Sequence, residues 1–201
     1  LKEKKTLYFQ ALDPGIVKKL MEFGMEEGAM IHVLSEHSIA QKDQQSHMAD
    51  FHMGIYQTMF DQITDKLENI YNSFCEEPFP VLKLNLYHRD EASRARTVER
   101  IKAAGLETAL ALAESTSLEC SAKGIDKGVG LKKLCEHLGL PLEQTIAVGD
   151  ADNDTMALKT AGLAVAMGNA TEPIKALADV IVADCDHNGC AEAIDKYLLA
   201  D

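Results

Sequence analysis

The chain has 201 residues and a mass of 22.0 kDa, with 46% hydrophobic and 26% charged residues. These proportions are typical of one or two folded domains and exclude a disordered or fibrous protein. The formal charge is -12, and a field of this sign disfavours nucleic acid or an anionic membrane surface as a partner. A small phosphorylated ligand is compatible with it, because a metal ion or one lysine can reverse the sign inside a pocket.

No segment approaches the roughly 18 consecutive apolar residues that span a bilayer, and the first five residues are not those of a signal peptide. We therefore predict a cytoplasmic protein. The five cysteines are widely spaced without a C-x-x-C pair, which favours reduced thiols over a disulfide framework. Cys185 and Cys190 flank His187, where ordinary packing is favoured over a metal cluster.

In the first half of the chain, residues 6–12 are rich in β-forming residues, and Asp13-Pro14 predicts the start of a helix. A second strand is predicted at 30–34. Between Ser46 and Phe74 the apolar residues recur every three or four positions, which predicts one long or two consecutive amphipathic helices. The following pattern predicts a strand at 81–87, a helix at 91–104, and strands at 108–113 and 116–120. Together these elements form an α+β block over roughly residues 1 to 120.

The second half alternates helices and strands. Helices are predicted at 127–138, 153–161, 171–177 and 190–199, and strands at 145–148, 164–166 and 180–182. The strands are short, continuous apolar runs, which are typical of parallel strands buried on both faces. Parallel sheets bind ligands at the carboxyl ends of their strands, so a site is expected in the loops 149–153, 167–170 and 183–189.

The first of these loops, Gly149 to Asp154, concentrates polar groups at one strand end. Glycine permits a sharp turn, Asp150 offers oxygen to a hard cation, and a helix start favours an anion, so the loop suits a divalent metal with a phosphate. A helix cap with solvated carboxylates is the alternative. An EF-hand is excluded, because Thr155 and Ala161 occupy positions that require Gly and Glu. Upstream, Lys127 begins a predicted helix, and it either neutralises a phosphate or carboxylate there or lies on the surface.

The stretch from Leu118 onward resembles the second half of the Cof-like phosphatases of the haloacid dehalogenase (HAD) superfamily. Its motifs follow the family's order: Leu118–Cys120 leaving the cap, Gly124–Gly128 with the lysine, Gly149–Asp154 as G-D-x-x-N-D, Val165–Ala170, Ala178–Val180 and Asn188-Gly189. The resemblance implies an α/β fold, with residues 118–201 as the C-terminal part of a Rossmann-like parallel sheet core. Residues 1–117 would be an α/β cap that selects the substrate.

The resemblance also implies an Mg²⁺-dependent phosphatase that acts on small phosphorylated metabolites, such as sugar phosphates, through an aspartyl-phosphate. By position, Asp150 would be the metal ligand and Asn153 would orient the phosphoryl group or the nucleophile. Lys127 would hold the nucleophile and the phosphoryl group, and Asp154 would support the metal site or cap the helix. Hard oxygen ligands alone do not separate Mg²⁺ from Mn²⁺.

The family's D-x-D-G-T nucleophile motif does not occur in the 201 residues, and the nearest candidate, Asp13, opens a helix instead. We therefore expect the chain to be inactive by itself and to be a fragment of a longer phosphatase rather than a natural truncation. The strand missing from the sheet would leave an unpaired edge, which predicts self-association.

Two other functions are alternatives to a phosphatase. A non-catalytic metal-binding or interaction protein would keep the acidic loop without the chemistry. An ion-pump phosphorylation domain shares the G-D-x-x-N-D motif, but its own aspartyl-phosphate motif is absent. Several cap residues are conceivable substrate contacts, although each is assigned to ordinary core or surface positions: His32, His37, His47, His52, Tyr87, His88 and Arg89.

Overall fold

A computed structural model describes residues 6–199, which form two compact units. The larger unit contains residues 10–124, and the smaller unit contains residues 6–9 and 125–199. The predicted domain boundary, between residues 117 and 118, lies inside the last strand of the larger unit. No helix in residues 6–199 combines the length and the apolar composition needed to cross a membrane.

The larger unit is built on a six-stranded sheet. Its strands are β1 (Met30–Leu34), β2 (Ser38–Gln41), β3 (Thr64–Leu67), β4 (Lys83–Tyr87), β5 (Thr108–Ala113) and β6 (Ser117–Ala122). They lie in the order β3-β2-β1-β4-β6-β5, and all neighbours are antiparallel except the parallel pair β2 and β3. The helices are α1 (Pro14–Glu26), α2 (Lys42–Gln45), α3 (Gln57–Ile63), α4 (Ile70–Glu76) and α5 (Glu91–Ala103), with 3-10 turns at Met48–Phe51 and Gly54–Tyr56.

The strand register separates an apolar face of this sheet from a polar one. Ile31, Leu86 and Leu118 lie opposite one another on the apolar face. Helix α1 packs closely there, since a Cβ at Gly24 would lie 2.6 Å from Leu86 Cδ2. Residues on the alternate positions, such as Asn85, point to the other face. That face is covered in part by an apolar cluster that includes Met30, Ala40, Met48, Phe51, Phe60 and Tyr87.

Two predictions for the larger half of the chain are wrong. Residues 6–12 form no strand, because no neighbouring strand pairs with them, and Asp13 caps α1 by accepting hydrogen bonds from Gly15 N and Ile16 N. The segment 46–74 is not one or two long helices. It is broken at His52, whose φ of 60° is left-handed, and its residues 64–67 pair with β2 as a strand. The apolar residues that recur every three or four positions do not form one buried face, since Ile55 is 85% exposed.

The smaller unit contains a three-stranded parallel sheet with β7 (Ile146–Gly149), β8 (Leu163–Ala166) and β9 (Val180–Ile181) in that order. Its helices are α6 (Lys127–Leu138), α7 (Thr155–Thr160), α8 (Glu172–Leu177) and α9 (Gly189–Ala193). A π turn at Ile194–Leu198 and 3-10 turns at Leu142–Gln144, Asp152–Asp154 and Cys185–His187 complete it. Every helix and strand predicted in this half is present, although the last helix changes to the π turn at Ile194.

Burial in the smaller sheet depends on strand position. In the central strand β8, Ala164, Val165 and Ala166 are buried, as predicted for a parallel strand. In β7, Val148 is 39% exposed. The prediction of complete burial fails for β7 because, among the described residues, it pairs with β8 alone and is an edge strand.

Candidate functional site

The carboxyl ends of β7, β8 and β9 bring three loops together in the smaller unit. Met167 N donates to Gly149 O at 3.0 Å, Thr171 N donates to Asp150 O at 3.1 Å, and Gly168 N donates to Ala183 O at 3.1 Å. These backbone bonds hold the loops in one arrangement, so side chains on them have defined positions relative to one another.

Asp154 uses both carboxylate oxygens inside the protein. Oδ1 accepts from Lys127 Nζ at 2.5 Å, and Oδ2 accepts from the backbone N–H groups of Asp150 at 3.0 Å and Ala151 at 3.4 Å. The side chain is only 12% exposed. Gly149 makes this arrangement possible, because a Cβ there would lie 2.5 Å from Asp154 Cβ. Asp154 therefore closes the loop and orients the lysine.

Lys127 reaches Asp154 because its helix packs closely against α7. It is the first residue of α6, whose N-cap Asp126 accepts a hydrogen bond from Val129 N at 2.9 Å. The next residue, Gly128, has no Cβ, and one built there would lie 2.5 Å from Met156 O in α7. The Lys127 side chain remains 52% exposed, so its ammonium group can also face a ligand.

Asp150 is exposed at the end of β7 and is positioned by Asn169, a residue to which the sequence assigned no role. Asn169 Nδ2 donates to Asp150 Oδ2 at 3.2 Å, while Asn169 Oδ1 accepts from Cys185 N at 3.0 Å. Because the backbone N–H can only donate, the orientation of the Asn169 amide is determined. The only sequence signal for Asn169 was its place in Val165–Ala170, the fourth motif of the resemblance.

Asn153 lies in the 3-10 turn between Asp150 and Asp154 and is partly buried. No hydrogen-bond partner of its side chain occurs among residues 6–199. The structure thus connects Lys127, Asp154 and Asp150 through hydrogen bonds and places Asn153 in the same loop, with a side chain available to a ligand.

The donor set fits one part of an Mg²⁺ site. Mg²⁺ at phosphoryl-transfer centres is commonly held by one or two carboxylates, with water and substrate phosphate as the other ligands. Asp150 supplies one such carboxylate, and its Oδ1 has no hydrogen-bond partner within the described part of the chain. In residues 6–199 no group of three or more His, Cys, Asp and Glu is placed to hold a metal. Among the described residues, Asp150 thus supplies one carboxylate of the kind that such a site uses.

Comparison with known proteins gives a family match and several similar proteins. A family model described as haloacid dehalogenase-like hydrolase matches residues 1–194. The chain is 46% identical to Phosphatase YwpJ of Bacillus subtilis over 83 residues, which are 41% of this chain and 29% of that protein. It is 32% identical to a phosphoglycolate phosphatase of Methanosarcina acetivorans over 145 residues, which cover 68% of this chain and 62% of that protein. These alignments span less than two thirds of either relative.

A solved structure of the HAD subclass IIB sugar phosphatase BT4131 has the same fold. It superimposes with a TM-score of 0.78 at 20% identity, covering 98% of this chain and 71% of that chain. The predicted fold class, a HAD-type parallel sheet core with an α/β cap, is confirmed. Since the family model extends over nearly all of the sequence, the chain belongs to the haloacid dehalogenase-like hydrolases.

Proposed function

We propose that this chain is the larger part of an Mg²⁺-dependent phosphatase that hydrolyses small phosphorylated metabolites of the sugar-phosphate kind. The hydrogen-bonded chain Lys127–Asp154–Asp150 at the carboxyl edge of a parallel sheet is the observation that carries the proposal. Two relatives are named phosphatases, and one structural neighbour is a sugar phosphatase. The cytoplasmic location remains a prediction.

Phosphoryl transfer requires positioning and cations against the charge that develops on the phosphoryl oxygens. Asp150 would be one ligand of Mg²⁺, which supplies charge neutralisation when it is bound. Lys127 would place its ammonium group against the phosphoryl oxygens and the nucleophile, and Asp154 would hold it there. Asn153 would donate a hydrogen bond to the phosphoryl group. Residues 1–117 would act as the cap that selects the substrate.

The nucleophile is the part of this reaction that the 201 residues do not supply in a D-x-D-G-T motif. We propose that a longer protein provides it and that the 201-residue chain alone does not turn over substrate. The exposed carboxylate of Asp150 also suits a second candidate, a non-catalytic binding protein of the same family that retains the acidic loop.

The intact mass and N-terminal sequence of the protein isolated from cells separate these two functions. We expect a mass above 22.0 kDa, a D-x-D strand upstream of Leu1, and Mg²⁺-dependent hydrolysis of sugar phosphates by that longer form. The 201-residue chain serves as the control and is expected to show no turnover. A cellular protein of 22.0 kDa without phosphatase activity would contradict the catalytic proposal and favour the binding protein.

The edge of the smaller sheet supports the further proposal that this chain associates with a second copy. Beside β7 lies a groove of about 210 Å³ lined by Gln144, Ile146, Val148, Ala193, Ile194 and Leu198. An open strand edge with apolar residues favours pairing with another chain. We expect a concentration-dependent dimer in sedimentation velocity, weakened about tenfold by Val148→Lys because a charge would be buried.

Ile55→Lys, at an exposed apolar residue of the larger unit, is the control and is expected to leave dimerisation unchanged. A chain that remains monomeric at high concentration would contradict the association, as would equal effects of the two lysine substitutions.

A further inference from the structure

A cavity of about 230 Å³ lies on the polar face of the sheet in the larger unit. His32 and Glu119 line it from β1 and β6, and Tyr87 and Ser117, which pair across β4 and β6, line it beside them. Its volume is below the roughly 300–1,000 Å³ of sites for drug-sized ligands, so a small metabolite fits. All the residues that line it belong to the larger unit, so its ligand is independent of the proposed phosphatase site in the smaller unit.

Two basic side chains lie near this cavity, Lys83 and His32, and neither provides an unpaired positive charge. Glu119 forms an ion pair with Lys83 at 3.0 Å, and its side chain is only 18% exposed. His32 is neutral at pH 7, because burial, with a smaller effect from Lys83, lowers its pKa to about 4. Lys83 is therefore paired with Glu119 and His32 carries no charge, so neither of them neutralises a further carboxylate on the cavity wall.

Glu114 supplies that further carboxylate. It lies in the turn between β5 and β6 and also lines the cavity. One carboxylate oxygen accepts from Ser117 Oγ at 3.1 Å and the other from Tyr56 OH at 3.4 Å. Within residues 6–199 no cationic side chain lies within ion-pair distance of this carboxylate. The guanidinium group of Arg94 donates a hydrogen bond to the backbone oxygen of Glu114 at 3.1 Å and not to its carboxylate.

The backbone of Glu114 is held in a conformation that a glutamate rarely adopts. Its φ is 53°, in the left-handed region that favours Gly and Asn. Such strained positions persist where the surrounding structure over-determines them, and they concentrate at functional sites. Here the bond from Arg94 holds the backbone, while Ser117 and Tyr56 hold the carboxylate against the cavity. The negative charge of Glu114 also raises the pKa of Tyr56, so the phenol remains a hydrogen-bond donor.

The other residues that line the cavity determine which ligands can bind next to the Glu114 carboxylate. Phe60, Met53 and Met59 contribute apolar surface, and an aromatic ring face attracts cations. Both ring nitrogens of His32 are hydrogen-bonded, to Tyr87 OH and Ser38 Oγ. The hydroxyl oxygens of Tyr87 and Ser117 line the cavity and can accept a hydrogen bond from a ligand. A donor-rich cation satisfies these groups, whereas a carboxylate or phosphate would be repelled.

We infer that this cavity binds the ammonium end of a small amino-polyol, with Glu114 as its charge partner. The probes are 1-amino-1-deoxy-D-glucitol, D-glucitol and D-gluconate, which share one carbon chain and differ in carrying an ammonium, a hydroxyl or a carboxylate group. Each is titrated into the full 201-residue chain carrying ¹³C-methyl methionine. Met53 and Met59 report on the cavity, and Met25 in α1 is the internal reference.

We expect the amine to shift the Met53 and Met59 signals, to leave Met25 unchanged, and to bind about fivefold more tightly than glucitol. Gluconate is expected to bind most weakly. Glu114→Gln keeps the side-chain size and accepts a hydrogen bond from one of the two hydroxyls, while its amide nitrogen donates to the other. Because the charge is lost, the variant should bring the preference for amine over glucitol close to one. The matched control Glu99→Gln, at an exposed glutamate in α5, should keep the fivefold preference.

Three results would overturn the inference: no probe shifts Met53 or Met59, glucitol or gluconate binds as tightly as the amine, or Glu114→Gln keeps the full preference.

Discussion

Replacing Asp150 with asparagine is expected to lower kcat/KM about a thousandfold in the form of the protein that hydrolyses phosphate esters. The proposed role of Asp150 is to hold Mg²⁺ through an exposed carboxylate oxygen, and the neutral amide removes that charge while keeping the shape. Loss of a metal ligand at a phosphoryl-transfer centre costs several kcal/mol of transition-state stabilisation, and each 1.36 kcal/mol is a factor of ten in rate. Steady-state kinetics with a sugar phosphate and saturating Mg²⁺ measures the loss.

The binding of Mg²⁺ provides a second measurement that does not depend on turnover. Calorimetric titration of the 201-residue chain should give weak binding that Asp150→Asn abolishes. Asp195→Asn, at an exposed carboxylate of the π turn, is the matched control and should change neither result. Near-normal turnover and metal binding in Asp150→Asn would remove this residue from the mechanism.

Gly128→Ala is expected to reduce the free energy of unfolding of the smaller unit by about 2–3 kcal/mol. The added Cβ would lie 2.5 Å from Met156 O and 2.7 Å from Thr160 Oγ1, so α6 and α7 would have to separate. Separation would also move Lys127 away from Asp154 and weaken their 2.5 Å contact. Native-state hydrogen exchange of the β8 amides measures the stability of this unit.

Gly130→Ala gives the comparison within the same helix. A Cβ at Gly130 meets no atom within 4 Å, so the substitution should stabilise the unit by about 0.5–1 kcal/mol through the higher helix propensity of alanine. If the two variants changed stability by the same amount, close packing of α6 on α7 would not be the reason for Gly128.

The two halves of the chain differ in how much of their structure could be predicted. In the smaller unit, the signals are local: Asp126 caps α6, and Gly139, with φ of 66°, follows its end. Each strand is a short apolar run between such signals. The elements were predicted correctly because these local preferences agree with the pairing of the strands in the parallel sheet.

In the larger unit, pairing between distant segments decided the outcome. Strand β3 was predicted as part of a helix because Ile63, Leu67 and Ile70 follow a helical period. It forms a strand because β2 offers a free edge for parallel hydrogen bonds, which a local pattern does not reveal. Residues 6–12, which belong partly to each unit, show the opposite error, because they are rich in β-forming residues but form no strand.

The sequence by itself determined the order of elements in the smaller unit and the candidate residues Lys127, Asp150, Asn153 and Asp154, because capping, apolar runs and motif spacing are properties of short segments. Only the tertiary structure decided which of these side chains form hydrogen bonds with one another. Lys127 reaches Asp154 across 27 residues because two helices pack without a Cβ between them. The Asn169 bridge to Asp150 and the cavity beside Glu114 likewise depend on strand order and register, since those bring distant segments into hydrogen-bonding distance.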